Sequence, residues 1–145
     1  MLNKLKSMAA DFLADGEKAL SRVTDKNAFK RAVYAGYLVA DADGDFDKDE
    51  KKALSRFIAD KMPHFSISDI ISVIEDCESK VSFDSDLGKA EILDFIGKAS
   101  GDEAESILRL VCFIGKSDGD FDADERMVGR DIAVRLGLSP SRYGI

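Results

Sequence analysis

The chain has 145 residues, of which 45% are hydrophobic and 34% are charged, with eleven glycines and two prolines. This length and composition are typical of one folded domain and exclude a disordered, fibrous or low-complexity protein. The formal net charge is −7, but residues 41–50 and residues 117–125 each contribute −5 and the rest of the chain carries +3. Two acidic segments on a slightly basic body argue against binding to a nucleic-acid backbone.

Apolar residues recur at helical spacing along almost the whole chain. The first predicted helix lies at its N-terminus. Its flanking charges include Lys4, Lys6 and Lys18, together with acids that oppose binding to a membrane surface. We therefore expect this helix to pack on the domain or on a partner. Its apolar face consists of Leu2, Leu5, Met8, Phe12 and Leu13.

The next three predicted helices are separated by short turns. Thr24 or Asp25 can cap the second helix, which ends before the first acidic segment. The third helix follows that segment and ends at Pro63, because proline cannot continue a helix. The serines that begin with Ser66 can cap the fourth.

The remaining predicted helices complete an all-α fold of about seven helices in a single domain spanning residues 1–145. A fifth helix within residues 84–100 should close near Gly101, and Asp102 can cap a sixth. The seventh follows the second acidic segment and should end with Gly137 in the C′ position. No part of the sequence shows the sustained alternation of a strand.

The two acidic segments belong to an internal repeat. Residues 41–50 read DADGDFDKDE, and residues 117–125 read SDGDFDADE. When Asp43 is set against Asp118, an apolar helix precedes each segment and an amphipathic helix follows it. We therefore predict a duplicated helix–acidic turn–helix hairpin over residues 27–62 and 103–137, which is too few units for a solenoid.

The acidic turns resemble an EF-hand loop but lack its first ligand. With Gly44 at the sixth loop position, oxygen ligands fall at the third, fifth, seventh, ninth and twelfth positions, but the first position is Val39. In the second copy the first position is Ile114 and the third is Lys116. Neither turn is therefore predicted to be an orthodox EF-hand.

Helix capping accounts for some of the acids, and a cation would account for the others. Asp47 and Asp122 each precede a glutamate by three residues, which is the spacing of a capping box. Capping leaves the preceding aspartates unexplained, and carboxylates this close together repel one another. The aspartates left unexplained are Asp41, Asp43 and Asp45 in the first segment and Asp118 and Asp120 in the second, and a bound hard cation would remove their repulsion.

The chemistry of these ligands favours Ca²⁺ over Mg²⁺ and makes zinc a poor candidate. All of them are oxygens, and Ca²⁺ accepts six to eight oxygens in a flexible geometry. The two turns could share one site or bind separately. We predict no catalytic residues, because the single histidine, His64, has no nucleophile placed beside it and the chain has no tryptophan for a sugar-binding cleft.

The cysteines and the hydropathy pattern indicate the compartment. Cys77 and Cys112 are 35 residues apart without a metal-binding motif, so we predict two buried, reduced thiols. The N-terminus lacks the apolar core of a signal peptide. The longest apolar run, residues 33–40, is far below the roughly 20 residues of a membrane span. We expect a cytoplasmic protein without a transmembrane segment.

The whole chain resembles the tellurite-resistance protein TerB family. The resemblance is carried by GKSDGDFDADE at residues 115–125, by RDIAVRLGLSPSRYGI at residues 130–145, by the first acidic segment and by FDSDLGKAE at residues 83–91. It implies a duplicated, all-helical domain without catalytic activity, whose acidic turns bind a metal. Asp43, Glu50, Asp118 and Glu125 match the Asp-Gly turns and the glutamate that follows each of them. Asp45, Asp47, Asp120 and Asp122 join them by proximity, so the resemblance implies these eight residues as the metal ligands.

The resemblance also implies partners and a place in the cell. The family acts with other tellurite-resistance proteins, one of which is an integral membrane protein, so peripheral association at the inner face of the membrane is implied. The expected function is therefore a divalent-cation-binding module in tellurite resistance and the stress response. Two alternatives stay open: a purely structural interaction domain whose acids cap helices and meet a basic partner, and a carboxylate-based hydrolase.

Overall fold

A computed structural model describes residues 16–117 and 121–145 of the chain. The described part contains helices and turns and no strand, which confirms the predicted all-α fold of about seven helices. The first helical segment, α1, covers residues 16–21. The others are α2 (Lys26–Ala40), α3 (Lys48–Lys61), α4 (Ile67–Phe83), α5 (Ser85–Ile96), α6 (Gly101–Ser117), α7 (Ala123–Arg135) and a final 3₁₀ turn, Pro140–Tyr143.

Three predicted helix ends are confirmed by their local chemistry. The Asp25 side chain accepts the backbone N–H of Asn27 at 3.2 Å and starts α2. Ser66 and Asp69 form a reciprocal capping box at the start of α4. Gly137 follows the C-cap of α7 with a φ of 73°, a left-handed conformation that glycine adopts without steric cost.

The end of the fifth helix differs from the prediction. We expected it to close near Gly101, but α5 ends at Ile96 and Gly97 is its C-cap. Gly101 is instead the first residue of α6, with a φ of 58°. The prediction that Asp102 caps the sixth helix is therefore wrong, because Asp102 lies within the first turn of α6.

The core is built around α2, which packs against α3, α4, α5, α6 and α7. Every residue from Ala32 to Val39 is buried, so water reaches no face of this part of the helix. Cys77 and Cys112 are both buried and unbridged, as predicted. Burial raises the pKa of the Cys112 thiol to about 11, so this thiol is protonated at neutral pH.

The close packing of α2 on α6 determines where the acidic turns emerge. A Cβ added to Gly36 would lie 3.1 Å from Cδ1 of Ile114, so the C-terminal halves of α2 and α6 are side by side. Each of these helices leads directly into an acidic segment. Both segments therefore leave the same end of the fold. In the described ranges, no helix combines the length and the apolar character needed to cross a bilayer.

Candidate functional site

A cleft of about 410 Å³ lies between the two acidic segments. Four of the predicted ligands line it, two from each predicted repeat: Asp43, Glu50, Asp122 and Glu125. The other lining residues are apolar: Val39, Ala40, Ala53, Leu54, Phe57 and Ile114. The site is thus an apolar cleft with carboxylates from two segments that are 75 residues apart in sequence.

The first acidic turn is ordered by its own backbone and one carboxylate. The N–H of Gly44 donates to the carbonyl of Asp41 at 2.8 Å, and Gly44 has a φ of 79°. Oδ1 of Asp43 accepts the N–H of Asp45 at 3.0 Å, which is an Asx turn. Turn formation therefore uses one oxygen of Asp43.

The capping role predicted for Asp47 and Asp122 is confirmed. Oδ1 of Asp47 accepts the N–H of Glu50 at 2.8 Å, and Oδ1 of Asp122 accepts the N–H of Glu125 at the same distance. In the second copy the box is complete, because Glu125 also accepts the N–H of Asp122 at 3.3 Å. One oxygen of each aspartate is thus committed to a helix start.

An aromatic side chain anchors each turn to the helix before it. Phe46 meets Tyr37 edge-on, with 5.4 Å between ring centroids. The Phe121 ring lies against Gly115, where an added Cβ would be 2.6 Å from Cδ1 of the ring. Only glycine leaves room for this ring, so Gly115 allows Phe121 to fold back onto α6.

Neighbouring carboxylates of the first turn disfavour the ionisation of Glu50. Desolvation raises the pKa of the Glu50 carboxyl, and the negative charges of Asp47, Asp43 and Asp45 raise it further. Asp122 in the second turn shows the opposite shift, chiefly because its carboxylate accepts the backbone N–H of Glu125, which lowers its pKa. The first turn therefore holds repulsion that a bound cation would relieve.

The described carboxylates do not by themselves form a coordination shell. No three carboxylate, imidazole or thiol side chains within residues 16–117 and 121–145 are grouped closely enough to hold a metal ion. Asp45 and Asp47 share the first turn but do not line the cleft. Asp118 and Asp120 lie outside the described residues. The donor chemistry suits a hard cation, and the described part alone does not complete its ligand set.

The apolar floor of the cleft was missing from the sequence prediction. Val39 and Ile114 occupy the positions where an EF-hand would begin, and both are buried in the floor rather than carrying a ligand. Leu54 and Phe57 of α3 also line the cleft. The apolar residues Val39 and Ile114, which occupy the same position in the two predicted repeats, could have indicated this floor.

Replacing Asp47 by alanine should lower the free energy of unfolding by about 1 kcal/mol, because the substitution leaves the N–H of Glu50 without its acceptor at the start of α3. Asp49→Ala, two residues further on, should lower the free energy of unfolding by only about 0.3 kcal/mol, because it removes a negative charge that interacts favourably with the N-terminal end of the helix dipole. Urea denaturation in a chelator-containing buffer measures both. Equal losses would show that Asp47 acts through its charge alone.

One of three comparisons with known proteins identifies the family of this chain. A search of curated proteins and a search of solved structures gave no significant match. The family model described as tellurite resistance protein TerB matches residues 30–144, which include both acidic segments and every helix from α3 onward. The chain is therefore a member of the TerB family of tellurite resistance proteins.

Proposed function

We propose that the cleft binds one divalent cation, Ca²⁺ in preference to Mg²⁺, shared between the two acidic turns. The protein acts without catalysis, in tellurite resistance and the stress response, and the bound cation fixes the two turns as a surface for protein partners. The observation that carries this proposal is the cleft itself, because it is lined by Asp43 and Glu50 from one segment and by Asp122 and Glu125 from the other.

The electrostatics of the cleft support a cation rather than capping alone. Turn formation and capping use one oxygen each of Asp43 and Asp122, which leaves a second carboxylate oxygen of each residue at the cleft. The raised pKa of Glu50 follows from desolvation and from three neighbouring aspartates. A divalent ion among these groups would favour their ionised forms, and binding would be weakened when acid protonates them.

The ligand chemistry supports Ca²⁺. Ca²⁺ takes six to eight oxygens at variable geometry, whereas Mg²⁺ requires a tight octahedron. Carboxylates from two separate turns suit the more tolerant ion. Asp118 and Asp120 immediately precede Phe121 in sequence, and in this proposal they complete the ligand set with Asp45 and Asp47.

Thermal unfolding tests the proposal. Ca²⁺ at about one hundred times its Kd should stabilise the protein by about 2.7 kcal/mol, which should raise the melting temperature by about 5–10 °C. The variant Asp43→Asn with Asp118→Asn should lose this shift. Asn at position 43 can still accept the N–H of Asp45, so the turn keeps its hydrogen bond.

The matched control is Asp86→Asn with Asp131→Asn, which makes the same change of charge at two exposed positions that do not line the cleft. This control should keep the full shift with Ca²⁺. If the native protein melts at one temperature with chelator, with Ca²⁺ and with Mg²⁺, the cation proposal is wrong.

A second candidate function is a structural interaction domain whose acids cap helices and meet a basic protein partner. The cap hydrogen bonds of Asp47 and Asp122 favour it, as does the lack of a three-ligand cluster in the described ranges. It predicts no cation-dependent change in melting temperature. The same unfolding experiment therefore distinguishes the two candidates.

Absence of catalysis is part of both candidates. His64 is exposed in the turn between α3 and α4 and does not line the cleft. The cleft offers carboxylates on an apolar floor, without a thiol, hydroxyl or imidazole among its lining residues. Turnover of a hydrolysable substrate that disappeared in the Asp43→Asn, Asp118→Asn variant would contradict both.

A further inference from the structure

We propose that the α4–α5 corner, residues 83–87, is a docking surface for a basic segment of another protein that carries large apolar side chains. The partner's apolar side chains would cover Phe83 and Leu87, and its lysine or arginine side chains would meet the acids around them. The corner lies outside the acidic cleft, and docking there does not require a bound cation. Every residue of this surface belongs to the described ranges, whereas the apolar face predicted for residues 2–13 lies outside them.

Two large apolar side chains are exposed at the corner. Phe83 is the last residue of α4 and is 93% exposed. Leu87 lies in the first turn of α5 and is 68% exposed. Single exposed apolar side chains are common on protein surfaces, but two large ones at the same corner are typical of an interaction site.

The backbone holds the corner in a fixed conformation. The N–H of Asp84 donates to the carbonyl of Lys80 at 3.2 Å, and Oδ1 of Asp84 accepts the N–H of Leu87 at 3.0 Å. Asp84 therefore caps both the end of α4 and the start of α5. Gly88 brings α5 directly against the backbone of α4. A partner would thus meet a preorganised surface, which reduces the entropy lost on binding.

Two shallow depressions adjoin the corner and share Glu78 and Ser82 on α4. The first has a volume of about 560 Å³ and extends from Phe83 towards α3. The second has a volume of about 440 Å³, includes the apolar residues Phe46 and Val81, and reaches the first acidic turn. Side chains of a bound segment could therefore enter the surface on both sides of the outer face of α4.

The charges around the corner favour a basic partner. Five carboxylates and two ammonium groups line the depressions or flank the apolar pair, so the local net charge is −3. One ammonium group serves two of the carboxylates, since Nζ of Lys51 lies 2.8 Å from Glu78 and 3.9 Å from Glu75. Cationic side chains of a partner would relieve this excess of negative charge. The seven residues are Asp41, Glu75, Glu78, Asp84, Asp86, Lys51 and Lys89.

The same charge argues against other occupants of the corner. An anionic membrane surface and a nucleic-acid backbone would both be repelled. A second copy of the chain, packed through a two-fold axis, would place this acidic surface against itself. A basic protein segment satisfies both the apolar pair and the carboxylates around it.

Selection from a displayed library of random peptides, with the full-length protein in chelator, tests the proposal. We expect the enriched peptides to combine lysine or arginine with aromatic or aliphatic residues. Fluorescence anisotropy should show binding that is about tenfold weaker, or more, in the Phe83→Ala, Leu87→Ala variant, because a few apolar side chains dominate the energy of an interface. Enriched acidic peptides, an absence of enrichment, or equal affinity for this variant would each overturn the proposal.

The matched control is Met127→Ala with Val134→Ala. These two side chains on α7 are 64% and 68% exposed, so the control also removes two exposed apolar groups, but at another surface. The affinity for the selected peptides should stay within about twofold of the native value. An equal loss in both double variants would show that the peptides bind exposed apolar groups without selecting the corner.

A second pair of variants tests the contribution of charge. Glu75→Gln with Asp86→Asn should weaken binding by about threefold to tenfold and make it less sensitive to salt. Asp102→Asn with Asp131→Asn makes the same change of net charge at exposed positions away from the corner, and should leave the affinity within about twofold.

Two further measurements identify a different occupant if there is one. Vesicles that contain phosphatidylglycerol should not bind through the corner, and the protein should not dimerise through it. Vesicle binding or dimer formation that disappeared in the Phe83→Ala, Leu87→Ala variant would overturn the proposal of a basic protein partner.

Discussion

Replacing Phe121 by alanine is expected to lower the free energy of unfolding by about 3 kcal/mol, the largest loss that we predict for a side chain at the site. The Phe121 side chain is only 8% exposed and rests against Gly115 of α6. It also approaches Gly129 of α7, where an added Cβ would be 3.9 Å from its ring. Its removal would leave a cavity between α6 and α7 and would release the second acidic turn.

Phe83→Ala is the matched control for this prediction. Phe83 ends α4 and is 93% exposed, so the same truncation should change the free energy of unfolding by less than about 0.5 kcal/mol. Urea denaturation of both variants gives the comparison. Equal stability of the two variants would contradict the anchoring role of Phe121. If Phe121 holds the second acidic turn in place, the Ca²⁺-dependent rise in melting temperature should also be smaller in Phe121→Ala.

Gly88→Ala alone should lower the free energy of unfolding by about 3 kcal/mol, because α5 lies directly against the backbone of α4 at this glycine. A Cβ at position 88 would overlap the carbonyl oxygen of Lys80 and lie 2.8 Å from the backbone nitrogen of Val81. These are backbone atoms of a helix, so no side chain can rotate away to make room. The two helices would have to separate, and α5 would lose contact with the core.

Gly97→Ala tests whether the cost at Gly88 comes from steric overlap. Gly97 caps α5 with a right-handed φ of −64°, and an added Cβ would be at ordinary contact distance, 3.4 Å, from its nearest neighbours. We expect a change within about 0.5 kcal/mol, since alanine adopts this conformation readily. Chemical denaturation of both variants decides the matter. A small loss at both positions would show that α5 moves freely on α4.

Local chemistry explains which parts of the fold could be predicted from sequence. Asp25, Ser66 and Gly137 act through hydrogen bonds or backbone conformations within four residues of their own position, so the helix ends that they define could be predicted. The end of α5 was misplaced because Gly97 and Gly101 were both possible stops. The choice between them depends on how α5 and α6 each pack on α2, which no local pattern records.

The candidate site shows the same division between local and long-range information. The acidic turns and the caps at Asp47 and Asp122 followed from residue spacing. Their meeting in one cleft depends on the close approach of α2 and α6 at Gly36 and Ile114, two residues 78 positions apart in sequence. The apolar floor was missed for the same reason, since its residues come from α2, α3 and α6.

Titration calorimetry of Ca²⁺ into chelator-treated, full-length protein tests the shared site most directly. We predict saturable binding of one ion per chain, which disappears when Asp43 and Asp118 are both replaced by asparagine and persists in the Asp86→Asn, Asp131→Asn control. Two ions per chain, each retained when the other turn is disabled, would contradict a shared cleft. An absence of saturable heat would contradict cation binding altogether.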